Sequence, residues 1–296
     1  MTGVIILSIG GTSYAGWAQN LAASLRFYSP NLQVDVVGDE VTWPHLIKYE
    51  KVLFDKIHRI KDEHKTDNGQ FSPGKAKLHI DRYSRFEKTI YIDADSIVVK
   101  DITPLFDLCK EGIKGHVCSV CDENSVSWPC QWMNLDTVRL VYGLASPYRL
   151  PEINSSFLFF DSSQESREYF AIARKCFLSG YKSKWGMSFP DELAFNVSAA
   201  KCGIDLSLPQ RIIAFKDYEL ENSPYIISLF GMKRTDSARI YAMYSSISSM
   251  SMSKITGKTS NFDHRIMMRK KFIGQNRFIT KEHIEQIRNE IAKREV

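Results

Sequence analysis

The sequence contains no apolar run long enough to cross a membrane as a helix, which needs about 20 consecutive apolar residues. Its 296 residues are 44% hydrophobic and 25% charged, an ordinary balance for a globular protein with a substantial core. The amino-terminal run Val4–Ile9 has no basic residue before it and is too short for a signal peptide. We therefore expect no transmembrane segment, and we interpret this run as a first strand.

Cysteine is also scarce. Six cysteines in a chain of this length do not make the dense disulfide framework of a small secreted domain, so reduced thiols and a cytoplasmic protein are expected. His116, Cys118, Cys121 and Cys130 have a spacing that zinc could use. The favoured interpretation is a strand with small buried side chains, since Cys118 and Cys121 would point to opposite faces of it.

The net charge of +5 is concentrated at the carboxyl-terminal end. From Lys254 to Val296 there are eleven Lys or Arg residues and five Asp or Glu residues. The segment Arg265–Arg277 has five basic residues and no acidic one. Such a patch is usually a solvated surface, but it can also attract nucleic acid or an anionic membrane.

The order of patterns along the chain predicts an α/β fold. A strand near Gly3–Gly11, a helix at 13–28 and a strand at 32–39 suggest a parallel βαβ unit. After the charged loop Lys61–Gly74, a helix over Gly74–Phe86 and one strand over Lys88–Val99 are predicted. Shorter strands and helices follow to about residue 203.

The carboxyl-terminal region is predicted to differ from this body. The serine-rich stretch Ser245–Ser260 is interpreted as a mobile loop, and a final amphipathic helix is predicted after Thr280. We expect a catalytic and nucleotide-binding domain over 1–231 and a loop with a basic helical tail over 232–296.

Two aspartates interrupt the apolar run Thr89–Val99. Residues two apart on a strand share a face, so Asp93 and Asp95 would point the same way. Burying them unpaired would be costly. They need a cation or a place at the end of a strand, where α/β folds bind ligands. A hard divalent ion, which can neutralise a departing diphosphate, meets both conditions; the alternative is a chance motif on an exposed turn.

The segment "KAKLHIDRYSRFEKTIYIDADSIVVKDITPLF" resembles the metal-binding segment of the GT-A nucleotide-sugar glycosyltransferases. It is most similar to the family-eight type, the glycogenin and lipopolysaccharide galactosyltransferase group. The matching motifs are Lys77-Leu78, Asp93 with Asp95, and Asp101 through Phe106. The resemblance implies a GT-A fold, which is a Rossmann-like, mostly parallel mixed sheet flanked by helices, here followed by the basic tail.

The resemblance also implies a donor site. Asp93 and Asp95 would hold Mn²⁺ or Mg²⁺, which grips the diphosphate of a UDP-sugar, and Asp93 would touch the ribose. Lys77 would face the phosphates or the sugar, and Tyr14 would stack on the base; the alternatives are a surface lysine and an aromatic packed in the first helix. The remaining implied donor contacts are Gly10, Gly11, Thr12, Ala94, Asn154 and Ser155.

Asp191 and Glu192 lie in the first turn of a predicted helix, where the helix dipole alone favours acidic residues. By resemblance, Asp191 would bind sugar hydroxyls. Glu192 replaces the glutamine that in the family lies beneath the anomeric carbon. A carboxylate there could stabilise an oxocarbenium-like centre or attack it. The resemblance implies retention of configuration, with a diphosphate oxygen accepting the acceptor's proton on the same face.

The sequence departs from the family pattern at the third metal ligand. The histidine of the family's later motif is missing, and His264 is the candidate substitute. Lys254 or Lys258 would replace the lysine that contacts the diphosphate. Gly11 stands where an aspartate usually meets the uracil, so another nucleotide-sugar is an alternative donor.

These observations predict a metal-dependent retaining glycosyltransferase that moves a hexose or pentose to a hydroxyl acceptor. A glycan or a lipid-linked glycan is the expected acceptor, with the enzyme peripheral at the inner membrane face in the latter case. The same basic tail would suit a phosphate backbone. The alternatives are therefore a phage-type transferase acting on hydroxylated DNA bases and a non-catalytic protein that binds nucleotide or nucleic acid.

Overall fold

The computed structural model describes residues 1–122, 124, 133, 135–144, 148–177, 190–208, 212–214 and 224–228. The chain has an α/β fold with a mostly parallel central sheet flanked by helices, which confirms the predicted fold class. The basic tail, His264, the serine-rich loop, the final helix and the predicted boundary near residue 231 all lie outside the described residues.

Eleven strands and eight α-helices are described. The strands are β1 Thr2–Ser8, β2 Gln33–Gly38, β3 Lys56–Arg59, β4 Thr66–Asp67, β5 Gln70–Phe71, β6 Lys88–Asp93, β7 Ser96–Val98, β8 Ile113–Cys121, β9 Leu150–Asp161, β10 Ile213–Ala214 and β11 Ile226–Ser228. The helices are α1 Thr12–Tyr28, α2 Trp43–Leu46, α3 Asp62–Lys65, α4 Pro73–Lys77, α5 Leu105–Cys109, α6 Leu135–Tyr142, α7 Gln164–Cys176 and α8 Pro190–Cys202.

The chain divides into two compact units, of which the first comprises Met1–Ile5, Ile60–Ile92 and Leu105–Gln210. Its strands have the order β1-β6-β9-β8, and β9 runs antiparallel to both of its neighbours. Helices α7 and α8 pack on each other, and α8 also packs on β9. The rings of Tyr169 and Phe195 stack at 5.8 Å in this core. This layer of apolar side chains supports the elements that carry Lys77, Ser155 and Asp191.

The second unit comprises Ile6–Arg59, Asp93–Pro104 and, after residue 210, the described residues 212–214 and 224–228. The division falls within β1, whose residues from Ile6 onward belong to this unit; the strand order here is β1-β2-β3, and β2 pairs with β3 in parallel. A separate small sheet has the order β10-β11-β7, with β11 antiparallel to β7. Helix α1 packs on β7, and the Ser24 hydroxyl of α1 accepts a hydrogen bond from the Val98 N–H at 3.0 Å.

The boundaries of helices α7 and α8 follow from local chemistry. Helix α7 begins at Ser163, whose hydroxyl accepts the Ser166 N–H at 3.2 Å as an N-cap. Helix α8 begins with Pro190, a residue favoured in the first turn because its missing N–H would have no partner there. Gly203, at φ 67°, follows the last residue of α8 in the left-handed conformation typical of helix ends. The predicted limits of α8 are confirmed.

Two predicted elements are wrong. The single strand over Lys88–Val99 is two strands, β6 and β7, joined by a turn at Ala94 and Asp95. The helix over Gly74–Phe86 is the short α4 followed by a 3-10 turn at Ile80–Arg82. In both cases the apolar residues are buried as expected, but their spacing does not determine where hydrogen bonding stops.

The charged segment Lys61–Gly74, predicted to be a loop, contains structure of its own. It forms helix α3 and the antiparallel pair β4-β5. The Ser72 N–H donates to the Lys65 carbonyl at 2.7 Å, and Lys75 Nζ donates to the Thr66 carbonyl at 2.7 Å. These two bonds tie the segment to α4, which carries Lys77.

The cysteines differ in part from the expectation of reduced thiols. Cys118 is exposed and is not part of a disulfide, whereas Cys121 is buried and disulfide-bonded to a partner outside the described residues. The prediction that these two side chains lie on opposite faces of a strand is confirmed. The prediction that every cysteine is a thiol is wrong, because a disulfide depends on a contact in the folded chain that sequence spacing does not reveal. A disulfide-bonded Cys121 is not available as a zinc ligand.

No helix within the described residues combines the length and the apolar character that a membrane-spanning helix requires.

Candidate active site

Lys77 is placed by a short, well-capped helix. Pro73 occupies the first turn of α4, and the Ser72 hydroxyl accepts the Lys75 N–H at 3.4 Å. At the end of α4, Lys77 Nζ donates to Ser155 Oγ at 3.1 Å and lies 3.4 Å from Asp191 Oδ2. The ammonium also lies 5.7 Å from the centre of the Tyr91 ring, within the range of a cation–π contact.

Ser155 connects this lysine to both acidic residues of α8. The serine is 2% exposed and lies on β9. Its hydroxyl donates to Asp191 Oδ2 at 2.9 Å, and its main-chain N–H donates to Glu192 Oε1 at 3.2 Å. One residue of β9 therefore holds the first turn of α8. We call Lys77, Ser155, Asp191 and Glu192 the lysine–serine–acid cluster.

The cluster is largely withdrawn from water. The side chains of Lys77 and Asp191 are 13% and 15% exposed. Coulombic attraction between such groups exceeds that of a surface ion pair, because less water screens it. A ligand with hydroxyl or phosphate oxygens entering here would meet a fixed cation and a fixed carboxylate on adjacent positions.

Two residues that sequence reasoning did not assign help to build this cluster. A Cβ added to Gly74 would lie 3.2 Å from Asp191 Oδ1, so a larger residue would press on that carboxylate. Asn196, fully buried on α8, accepts the Ile153 N–H at 3.0 Å through its side-chain oxygen. Asn196 belongs to the "PDELAFN" segment, so its place in that motif was the available signal.

Asn154 was predicted to line the sugar pocket. It is partly exposed on β9, next to Ser155, and its Oδ1 accepts the Ser156 N–H at 2.9 Å. The amide oxygen thus stabilises its own strand. A role for Asn154 in binding a sugar stays a prediction.

Asp93 is the last residue of β6, whereas Asp95 lies in the turn that follows. The argument that both share a strand face therefore fails, because only Asp93 is on the strand. Both side chains are partly exposed and Ala94 between them is buried. The expected position at the end of a strand is confirmed for Asp93.

Two buried serines lie opposite each other in the strand pair that begins directly after Asp95. Ser96 on β7 lies directly opposite Ser228 on β11, and these serines are 3% and 0% exposed. Neither hydroxyl has a hydrogen-bond partner within the part of the chain that the structure describes. Buried hydroxyls without partners are uncommon in folded proteins, and an unplaced water or ion is a usual explanation.

These residues fit a hard divalent cation. Two carboxylates, together with substrate phosphates and water, make up the kind of ligand set that Mg²⁺ commonly uses in proteins. Among the described residues, no three His, Cys, Asp or Glu side chains gather into a metal site. The third ligand therefore stays a prediction, as does His264, which lies outside the described residues.

The loop predicted to meet the base is held by an acid that sequence reasoning missed. The Gly10 N–H donates to Asp39 Oδ2 at 2.7 Å, and Gly10 has φ 88°, a backbone conformation that glycine adopts readily. Asp39 is 2% exposed and its other oxygen accepts from the Thr42 N–H at 2.9 Å. The turn residues Gly38-Asp39 at the end of β2 were its only sequence signal.

Downstream of this loop, Gly11 is the N-cap residue of α1 and Thr12 its first residue. The Tyr14 side chain is 41% exposed and meets Trp17 edge-on at 4.8 Å. An exposed ring suits stacking on a planar base, although this role is untested.

A pair of histidines lies close to α4. The rings of His64 and His79 stack at 4.0 Å, and His64 Nδ1 lies 2.7 Å from the Tyr83 hydroxyl. Burial lowers the pKa of both imidazoles, that of His79 to about 3. His79 follows Lys77 by two residues, so this neutral stack packs beside the segment that carries the lysine.

The predicted residues thus fall into two groups. The first unit holds the lysine–serine–acid cluster, with Asn154 beside it. The second unit holds Gly10, Gly11, Thr12, Tyr14, Asp93, Ala94 and Asp95.

Comparison with known proteins identifies the fold. No protein-family model and no curated protein matches the chain. Among solved structures, the galactosyltransferase LgtC in complex with donor and acceptor sugar analogues superposes with a TM-score of 0.55 at 14% identity, covering 83% of this chain and 95% of that one. An active-site glutamine-to-glutamate variant of LgtC gives a TM-score of 0.50 at 13% identity, with the same two coverages.

The bifunctional glycosyltransferase WbbM gives a TM-score of 0.54 at 16% identity. The match covers 78% of this chain but 46% of WbbM, so the chain corresponds to less than half of that protein. Together these likenesses show that the chain has the GT-A glycosyltransferase fold.

Proposed function

We propose that the protein is a metal-dependent retaining glycosyltransferase that moves a hexose or pentose from a nucleoside diphosphate sugar to a hydroxyl acceptor. A UDP-sugar is the expected donor, and the enzyme would be of the family-eight type. The observation that carries the proposal is the lysine–serine–acid cluster in a GT-A fold, where Lys77 and Asp191 lie 3.4 Å apart around Ser155.

The aspartate motif and the Gly10–Thr12 loop are assigned to the nucleotide part of the donor. Asp93 and Asp95 would hold Mg²⁺ or Mn²⁺, which when bound neutralises charge on the departing diphosphate. The Gly10–Thr12 loop would receive the base against the exposed ring of Tyr14. Asp39 fixes Gly10 through its 2.7 Å hydrogen bond, so the loop is positioned before the nucleotide arrives.

The lysine–serine–acid cluster is assigned to the sugar and its bond to the phosphate. The Lys77 ammonium would stabilise negative charge that builds on the diphosphate as the bond to the sugar breaks. Asp191 would accept hydrogen bonds from sugar hydroxyls, which fixes the orientation of the ring. Both groups are held by Ser155 at 3.1 and 2.9 Å, so they need little reorganisation when the donor binds.

Glu192 is assigned to the anomeric carbon. Its carboxylate would stabilise positive charge that develops there as the leaving group departs. One of its oxygens already accepts the Ser155 N–H at 3.2 Å, which restrains the side chain beside β9. A diphosphate oxygen would accept the acceptor's proton as the new glycosidic bond forms on the same face, so configuration is retained.

The proposed acceptor is a hydroxyl of a glycan, free or lipid-linked. The support is the likeness to LgtC, whose solved complex contains an acceptor sugar analogue. The basic tail, which suggested a membrane surface or DNA, lies outside the described residues and does not choose between acceptors.

The test is nucleotide release from the full-length chain. The protein is incubated with a panel of UDP-, GDP- and dTDP-sugars and Mg²⁺ or Mn²⁺, and free nucleotide and sugar products are followed by mass spectrometry. At least one donor should release its nucleotide, slowly by hydrolysis and faster with an acceptor. Lys77→Ala should release less nucleotide than the unmodified protein. Lys175→Ala, on an exposed face of α7, is its matched control and should not. Failure of every donor would overturn the enzyme proposal in favour of a non-catalytic nucleotide-binding protein.

A further inference from the structure

A cavity lies in the first unit, and no residue of the lysine–serine–acid cluster lines it. Its volume is about 620 Å³, and it is lined by the last turn of α8, the residues that follow to Ser207, and the start of β9. This size is within the usual range of small-molecule sites. Ala199, at its wall, lies eight residues after Asp191 on the same helix, which corresponds to about 12 Å along the axis.

The wall after α8 is rigidly held. Lys114 on β8 donates through Nζ to the Asp205 carbonyl at 2.7 Å, and the Gly115 N–H donates to the Leu206 carbonyl at 2.9 Å. The Ile204 N–H donates to the Ala199 carbonyl at 3.0 Å and closes the helix. The cavity is therefore formed before any ligand binds.

The lining offers hydrogen-bond donors, acceptors and an aromatic ring together. Arg149 and Lys201 are exposed and supply donors, while the Asp205 carboxylate supplies acceptors. The hydrogen bond from the Ser207 N–H at 2.9 Å, reinforced by nearby Lys114 and Arg149, lowers the pKa of Asp205, so this carboxylate is ionised. Tyr148 contributes a mostly buried aromatic side chain to the lining.

The end of α8 contributes partial negative charge beside the two cations and the carboxylate of the lining. The last carbonyls of a helix lack intrahelical donors and carry partial negative charge. Ala200 and Lys201, in this last turn, line the cavity. Such carbonyls accept hydrogen bonds from hydroxyls but repel phosphate, which prefers a helix amino terminus. Sugar hydroxyls both donate and accept, and so match Arg149, Lys201 and Asp205 together.

We propose that this cavity is a second sugar-binding site, which holds a neutral oligosaccharide such as the distal part of a glycan acceptor. The inference deepens the proposed function and rests on it for the source of the sugar. Binding there would keep an acceptor near the enzyme between transfers and would favour glycans over isolated sugars.

The test measures binding directly. Saturation-transfer difference NMR is recorded on the full-length protein with lactose and with maltotriose, in the absence of a donor. Ala200→Trp fills the cavity from a partly exposed position, and Arg149→Ala removes an exposed donor without disturbing the core. We expect saturation of at least one probe in the unmodified protein and at least a five-fold loss of signal in both variants.

Lys175→Ala, at an exposed position outside the cavity lining, is the control and should leave the signal unchanged. Asp191→Asn reports whether the probe binds at the lysine–serine–acid cluster instead. Absence of saturation for both probes overturns the inference. Signal lost in Asp191→Asn but kept in both cavity variants also overturns it, as does displacement of the probe by millimolar inorganic phosphate. If Ala200→Trp lowers the melting temperature, its loss of signal could reflect unfolding. The result for Arg149→Ala, an exposed position, then decides the test.

The two proposals can fail separately. Nucleotide release without sugar binding in the cavity would reject this inference alone. Sugar binding that depends on Ala200 and Arg149, in a protein that releases no nucleotide from any donor, would reject the enzyme and keep the binding site.

Discussion

The lysine–serine–acid cluster of the first unit and the serine pair of the second unit differ in how their polar groups are satisfied. In the first unit, Lys77, Ser155 and Asp191 are within 3.4 Å of one another and each contacts both others. In the second unit, the hydroxyls of Ser96 and Ser228 are buried without a partner among the described residues. The first arrangement is complete before a ligand binds, whereas the second leaves hydrogen-bonding capacity for something that binds.

This difference predicts which substitutions change stability and activity together and which change only one of them. A satisfied cluster contributes to stability as well as to chemistry, so changing it affects both. A buried hydroxyl without a partner costs stability, so removing it should cost the fold nothing. Substitutions in the lysine–serine–acid cluster are therefore expected to lower both stability and activity. Substitution of a buried serine without a partner is not expected to lower stability.

The largest effect is expected from the acids of the second unit. Replacing both Asp93 and Asp95 with asparagine should lower nucleotide release by about 10³-fold, because stabilisation of the diphosphate charge is lost. The melting temperature should change little, since both side chains are partly exposed. Asp107→Asn, at an exposed position, is the matched control. Activity that survives the double replacement would remove the metal-dependent mechanism.

Lys77→Ala should produce the next largest effect. A loss of about 10²-fold in kcat, equivalent to about 2.7 kcal/mol, is expected from removing one charge-stabilising donor. The same change leaves the 15%-exposed Asp191 side chain without its cation, so the urea midpoint should also fall. Lys175→Ala should leave both quantities unchanged. A normal midpoint together with lost activity would show that the cluster does not support the fold.

Acid should weaken the first unit through its stacked histidines. The pKa of His79 is about 3 in the folded chain and 6.5 in the unfolded chain, so between these values only the unfolded chain takes up the proton. Stability from the neutral ring is complete above pH 6.5 and is lost progressively as pH falls toward 3. Urea midpoints from pH 7.5 to 4 should fall less steeply for His79→Gln than for His45→Gln. Equal slopes would contradict this assignment.

The smallest effect is expected from the serines of the second unit. Ser228→Ala should leave the free energy of unfolding unchanged or raise it by up to about 1 kcal/mol, because an unsatisfied hydroxyl is removed. Ser24→Ala should lower it by about 1 kcal/mol, since that hydroxyl accepts from Val98 N–H and donates to the Leu21 carbonyl at 2.7 Å. Calorimetry on both variants distinguishes them.

A second measurement on Ser228→Ala links the hydroxyl to the ligand. The rise in melting temperature caused by Mg²⁺ with UDP should be smaller in Ser228→Ala than in the unmodified protein. An unchanged rise would mean that this hydroxyl does not respond to the ligand.

The local elements of the fold were predictable because their signals are local. The apolar spacing of α1 and the alternation of β2 predicted both elements to within two residues of their observed ends. The Pro190 start and Gly203 end of α8 were equally readable. The break after Asp93 was not, because the apolar alternation continues through β7, which leaves to pair with a strand about 130 residues away in sequence.

Residues of the candidate site could be predicted from the sequence only where they belong to a recognisable motif. The aspartate motif, Lys77 and the start of α8 were recognised from the resemblance, and the structure brings Lys77, Ser155 and both acids of α8 together. Asp39 was not recognised, because its role depends on a hydrogen bond to Gly10 across 29 positions. Contacts of this kind follow from the folded backbone and leave almost no trace in local sequence.

The turn between β6 and β7 also limits how the chain can vary in length. Ile92 is in register with Phe157 on one side, and Ser96 is in register with Ser228 on the other. A residue added or deleted between them has to be absorbed within the two-residue turn, because a one-residue shift in the register of either strand would turn its side chains to the opposite face. The strand pairings on both sides of the turn therefore leave the spacing of the two aspartates little freedom to change in length.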